Sequence, residues 1–190
     1  MVCFRFLGIM LRIDFTAPFL LGILSLTLPA EQVRQTVLAC LLHEAAHLIT
    51  VYLTKQRPAM LTVSAAGMQL TLRRGALCPE KACSLILLSG PLCNLAAGIC
   101  FLCCGMQQAA AGNLSLCVFN LLPFRGTDGG SFLRMHLTRK NITHTSRAEQ
   151  LTRILSVTTA FFIITAMHIT GYRNFSLTAM ILYLTAAEFL

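Results

Sequence analysis

An all-α, multi-pass membrane protein is the fold class this sequence predicts, with about six transmembrane helices and a small membrane-associated β-hairpin. Three observations lead there. The 190-residue chain is 56% hydrophobic and only 12% charged, with a mean hydropathy of +0.71, whereas a soluble domain carries about 25% charged residues. Its apolar residues collect into six runs, at about 15–29, 36–53, 82–105, 107–124, 154–171 and 175–190. With successive connections on alternate sides, 13 of the 15 basic residues fall on one side, and only Arg34 and Arg173 on the other. Basic residues stay cytoplasmic, so both termini and both long loops are expected there. The same asymmetry accounts for the net charge of +8 as a topology signal, and no nucleic-acid partner is expected.

Each element follows in order. Residues 1–14 read as a short extended segment before a retained first span, not as a cleaved signal: Arg12 and Asp14 interrupt the apolar stretch, and Pro18 sits just inside the next. Between the second and third runs, Leu61, Val63, Met68, Leu70 and Leu72 partly alternate with Thr62, Ser64, Gln69, Thr71 and Arg73 around Ala65-Ala66-Gly67. Period-two alternation about such a turn predicts a hairpin. The polar, basic stretch 125–153 predicts a helix lying near the membrane surface. Several apolar runs are short against the roughly 20 residues that cross a bilayer. No repeat or linker divides the chain, so residues 1–190 are expected to form one domain, with a core at about 36–130 and additional spans at about 154–190. The nine cysteines are odd in number and mostly apolar in setting, which favours packing; Cys100 and Cys103 form a C-x-x-C without a second pair at zinc-ribbon spacing.

One stretch contradicts its surroundings. "ACLLHEAAHLITVY", residues 39–52, is membrane-like except for His43, Glu44 and His47. An aspartate at the centre of a span costs roughly 2.5–3.5 kcal/mol on insertion scales, and ionisable residues at such depth face a protein interior, have partners and serve a function. Spacing by four puts both imidazoles on one helical face, one turn apart. H-E-x-x-H on a helix lets two histidines bind zinc while the glutamate reaches the water on it. Zinc brings the pKa of that water to about 7, and Glu44 would act as general base, then acid.

A catalytic zinc takes three protein ligands and keeps one position open. The candidates for the third are Asp14, Asp128, Glu149, Glu188, His136, His144 and His168. His136 and His144 fall in a basic loop and His168 near the outer end of a late span. Asp128 differs: "FNLLPFRGTDGG" approaches it through apolar residues, with Pro123 ending a helix and glycines at 126, 129 and 130 freeing the backbone. Non-helical backbone at membrane depth survives only where protein covers it or a water-filled cavity receives it, and a hydrolase needs such a cavity. Asp128 is the best candidate.

"HEAAH", then "SGPLCNL" from Ser89 to Leu95, then "NLLPFRGTDGG" from Asn120 to Gly130, resemble in that order the motifs of the site-2 protease family of intramembrane zinc metalloproteases. The resemblance implies Zn2+ as cofactor, His43, His47 and Asp128 as its ligands and Glu44 as the catalytic base. It places Gly90, Pro91 and Asn94 near the catalytic centre, with Asn94 able to donate to an oxyanion or to pack between helices. Asn120 and Pro123 shape the turn before the aspartate. Gly67 matches a glycine-containing edge that pairs with unwound substrate by strand addition; a plain solvent hairpin is the alternative. Gly126, Thr127 and Ser131 depart from the family pattern, which bears on loop rigidity.

Without room for a PDZ domain between spans or a CBS domain at the end, the chain looks most like a minimal version of the bacterial stage IV sporulation protease branch. That implies a multi-pass protein of the bacterial cytoplasmic membrane. Its partners would be the lipid bilayer, a membrane-tethered substrate such as a sigma-factor precursor, and a membrane-bound regulatory protein. Two alternatives keep the same residues: a metal-binding transporter, since midplane histidines also suit ion pathways, and a non-catalytic relative that binds substrates.

Overall fold

Every one of the six apolar runs is helical. The computed structural model describes residues 2–6, 9–56, 58–64, 67–72, 79–140, 145–171 and 174–189; His144 and the Ala65–Ala66 turn lie outside them. The elements are β1 (Val2–Phe6), β2 (Ile9–Ile13), α1 (Thr16–Thr27), α2 (Ala30–Leu53), β3 (Pro58–Ser64), β4 (Gly67–Leu72), α3 (Glu80–Cys103), α4 (Gln107–Leu121), α5 (Asp128–Lys140), α6 (Thr145–Ile169) and α7 (Phe175–Ala186). Among the described residues, three helices have the length and apolarity to cross a membrane: Ala30–Leu53, Glu80–Cys103 and Arg147–Ile169. Only 22%, 28% and 17% of these segments is buried within the protein. Leu38, Leu41, Ile49, Phe161 and Phe162 therefore point outward, exposed, as lipid-facing side chains do.

The contacts form two compact units, Met1–Cys117 and Val118–Leu190. In the first, the predicted hairpin is β3 against β4, paired from Leu61↔Leu70 to Ser64↔Gly67. It belongs to a larger sheet of order β1-β2-β3-β4, where β1 and β2 make an antiparallel hairpin and β2 runs parallel to β3. The extended N-terminal segment is thus half of a four-stranded sheet. Its strands, VCFRF and IMLRI, lack a polar–apolar alternation, so nothing local announced their partners. Among the described residues β4 is an edge strand.

α2 and α3 pack together along stripes of small and polar residues. On α2 the buried positions are Ala39, His43, His47 and Val51, each four residues after the last; on α3 they are Ile86, Gly90, Pro91, Asn94 and Gly98. Small residues at this spacing let helix backbones approach closely where no hydrophobic drive exists between spans. Both helices begin after a proline (Pro29, Pro79), with a glutamate in the first turn that complements the helix dipole. The apolar run at 36–53 marked bilayer depth; the polar turn from Glu31 to Thr36 continues the same helix outward.

The two helices also end alike. Gln56 N–H donates to the Val51 carbonyl at 3.0 Å and Lys55 N–H to that of Tyr52; Met106 and Gly105 repeat this on Phe101 and Leu102. These are Schellman caps, which want a left-handed residue just past the helix. Gly105 supplies it with φ 75°, but Lys55 adopts φ 55° with a side chain.

The second unit has its apolar core at Phe124, Ala160 and Ile181, fully or almost fully buried, with Ile163, Ile164, Leu177 and Leu184 packed around them. Between α4 and α5, residues 122–127 leave helical geometry, and Thr127 caps α5: its Oγ1 accepts the Gly130 N–H at 3.3 Å and contacts the carbonyls of Leu122 and Phe124. Thr127 thus ties the bend locally.

Lys55→Gly should stabilise the protein by about 1 kcal/mol, and Gly105→Ala should destabilise it by a similar amount, the cost of a left-handed L-residue. Thermal unfolding in one detergent reads both; equal melting temperatures would remove the strain at Lys55.

Candidate metal centre

His43 and His47 project from α2 into its contact with α3, where they are 4% and 7% exposed. Their rings meet edge to face with centroids 4.7 Å apart, and the two Nε2 atoms lie 3.0 Å from each other. Two nitrogens held by one tetrahedral zinc at about 2.0–2.1 Å sit about 3.3 Å apart, so the pair is close to the spacing a shared ion requires.

The orientation of His47 has a specific cause. Its Nδ1 lies 2.6 Å from the Ile86 carbonyl oxygen. A carbonyl only accepts, so Nδ1 carries the proton and Nε2 presents a lone pair. Ser89 adds to this arrangement, its Oγ 2.7 Å from the same carbonyl and 3.3 Å from Nδ1. Pro91, one turn later, has no N–H to return to Leu87, so this turn of α3 is held less tightly by its own helix. A ligating histidine whose other nitrogen donates to a backbone carbonyl is the usual second support of a metal site.

Gly90 makes the room. A methyl group there would collide with His47 Nε2 and lie 2.6 Å from His43 Nε2. The glycine is within an α-helix and needs no unusual backbone angle; what it supplies is space against the faces of both imidazoles. Sequence reasoning placed it near the centre by motif, but the reason is steric and was not legible from spacing.

The other predicted residues take definite positions. Glu44 follows His43 on α2, half-buried, and is three residues before His47, on an adjoining face. Asn94 is fully buried one turn past Gly90; its Nδ2 reaches the Ala39 carbonyl at 3.5 Å, while Oδ1 has no hydrogen-bond partner among the described residues. This geometry is that of a weak bond between helices. Gly67 opens the edge strand β4, opposite Ser64.

Asp128 belongs to the second unit and is the first residue of α5. Asn120 lies near the end of α4, and Pro123 two residues past it. Gly129 and Gly130 have ordinary negative φ among the described residues; their lack of a side chain instead lets the first turn of α5 abut backbone, since an added methyl would overlap Leu121 and the Phe124 carbonyl. The expected role of these glycines is corrected accordingly, from backbone freedom to close approach. Of the other candidate ligands, Asp14 caps the Phe15 N–H at 2.9 Å, His136 packs its ring 4.6 Å from that of Phe132, and His168 is exposed. Glu188 is buried and accepts the Arg125 N–H.

No protein-family model and no curated protein matches this chain. Among solved structures it is similar to the site-2 protease from Methanocaldococcus jannaschii, with a TM-score of 0.70 and 18% identity, over 98% of this chain and 93% of that one. At that identity the likeness establishes the fold: this is a membrane protein with the architecture of a site-2 protease.

Gly90→Ala should displace the imidazoles at an overpacking cost of about 1–3 kcal/mol. Purified protein should retain its helical circular dichroism and lose bound metal; full metal occupancy in the variant would show that the rings do not need this space.

Proposed function

We propose that this protein is an intramembrane zinc metalloendopeptidase of the site-2 protease type, hydrolysing peptide bonds within or beside the transmembrane segments of membrane-tethered substrates. The observation that carries the reading is the pair of buried imidazoles, Nε2 to Nε2 at 3.0 Å, in an apolar helix against a glycine that leaves them space. Nothing in membrane packing calls for two such groups side by side with their Nε2 atoms in contact, and a shared cation accounts for both.

His43, His47 and Asp128 would hold the ion. Each offers one ligand atom, two imidazole nitrogens and a carboxylate oxygen, with both histidines buried and the aspartate partly so. This donor set suits zinc. When bound, zinc supplies a Lewis acid that polarises the scissile carbonyl and acidifies water. Glu44 takes the proton of the attacking water and returns it to the leaving amine. The Ile86 carbonyl keeps His47 in the tautomer that leaves Nε2 available. Asn94, whose amide among the described residues makes one long bond, to Ala39, would turn it toward the oxyanion, a contact worth about 3–4 kcal/mol in hydrolases.

Substrate recognition falls to the sheet. Among the described residues β4 ends the order β1-β2-β3-β4, so its outer backbone groups would take an extended peptide, with Gly67 at its start. Strand addition holds substrate by main-chain hydrogen bonds largely independent of its sequence.

The finer placement rests on resemblance of motifs: one protease domain over residues 1–190, in the bacterial cytoplasmic membrane with cytoplasmic termini, in the sporulation branch, with a sigma-factor precursor as substrate and a membrane-bound regulator.

In detergent, the protein should hold about one zinc per chain, and His43→Ala or Asp128→Ala should abolish this. Unchanged zinc in Asp128→Ala would remove that residue from the ligand set. Glu44→Gln should keep the metal while cleavage of a co-expressed membrane-tethered substrate falls by about 10²–10⁴-fold. Undiminished cleavage would reject the general-base role, and zinc binding with no cleavage by the native chain across substrates would favour the transporter.

A further inference from the structure

The bend before Asp128 is held by residues remote in sequence. Residues 122–127 run outside any helix, yet Phe124 at their centre is 0% exposed. Backbone polar groups in such a place must find partners within the protein. Thr127 meets the Leu122 and Phe124 carbonyls locally. The Pro123 carbonyl and the Arg125 N–H are met from elsewhere in the sequence. Ser156 on α6, 0% exposed, places its Oγ 2.5 Å from the Pro123 oxygen. Glu188, just past α7 and 3% exposed, accepts the Arg125 N–H on Oε1 at 2.5 Å.

The two holders also touch each other, with Ser156 Oγ 3.2 Å from Glu188 Oε1. A hydroxyl has one proton, and the Pro123 oxygen is the nearest of the acceptors around it; the Thr152 carbonyl stands at 2.9 Å. Arg134 Nη2 is 3.9 Å from Glu188 Oε1, beyond hydrogen-bond reach. Glu188 is therefore engaged through its acceptor oxygen more closely than through its charge. A buried carboxylate spent on a backbone amide three residues before Asp128 fixes where that residue starts α5.

We propose that Ser156 and Glu188 are positioning residues that pin the 122–127 bend, so that Asp128 is presented as a preorganised metal ligand. The inference rests on the assignment of Asp128 as a zinc ligand. Support of this kind typically contributes about 10–100-fold in metal affinity. Glu188→Gln keeps an acceptor oxygen for the Arg125 N–H; Glu188→Leu and Ser156→Ala remove one link each.

The test uses the full chain in detergent and measures three things for each variant: zinc affinity by chelator competition, the melting temperature of the metal-free protein, and amide exchange across residues 122–128 without metal. Ser156→Ala and Glu188→Leu should bind zinc about 10–100-fold more weakly and exchange faster in the bend, with metal-free melting within a few degrees of the native chain. Glu188→Gln should match the native chain in all three. Native zinc affinity in both Ser156→Ala and Glu188→Leu would overturn the proposal, as would losses of affinity and melting temperature that run in parallel. Glu188→Gln behaving like Glu188→Leu would also overturn it, by assigning the effect to charge. Asp128→Ala, run alongside, separates the two readings: if it keeps zinc, the ligand assignment fails; if it loses zinc while the bend variants do not, only the positioning role fails.

Discussion

The contact between His47 Nδ1 and the Ile86 carbonyl governs the rest of the proposed centre. It couples α2 to α3 at the depth where the two imidazoles lie, and it decides which nitrogen of His47 can take part in chemistry. Without it, a buried ring could rotate or change tautomer, and the Nε2 pair would have no defined geometry. Around that contact the helices are built for close approach: Gly90 yields to the ring faces, and Ala39 meets Asn94. Larger residues along this stripe would separate the backbones and move the carbonyl away from the ring.

The sequence revealed the polar part of the centre more readily than its supports. His43, Glu44 and His47 stand out because water-loving groups within an apolar run carry a large insertion penalty, and their spacing assigns them to adjoining faces of one helix. Asp128 is visible through Pro123 and the glycines around it. Helix existence was legible from apolar runs, but helix length was not, because hydropathy ends at the bilayer while α2 and α6 continue through polar turns. The β1–β2 hairpin escaped for a different reason. Its pairing with β3 is parallel and spans two intervening helices, and no local pattern encodes a partner so remote.

Supports were the least legible. A backbone carbonyl such as that of Ile86 has no signature in a one-letter code, and Ser156 is one hydroxyl among many on an apolar helix. Glu188 is an acid among apolar residues and one of the candidates for the third ligand. Its burial on the Arg125 N–H shows that the same anomaly can mark the anchoring of irregular backbone. Thr127 teaches the converse. Measured against a family pattern it looked like a loss of rigidity, yet its hydroxyl contacts two carbonyls and accepts one amide within the bend.

Because the partner of His47 is a main-chain oxygen, its chemistry does not depend on which amino acid occupies position 86. Valine, leucine or methionine there would present the same acceptor, and inheritance could exchange them without disturbing the proton on the ring. Position 90 enjoys no such latitude. The two neighbours, four residues apart on one helix, are thus subject to different rules: the buried side chain at 86 has to fit its packing but leaves the acceptor unchanged, while any side chain at all at 90 is too much.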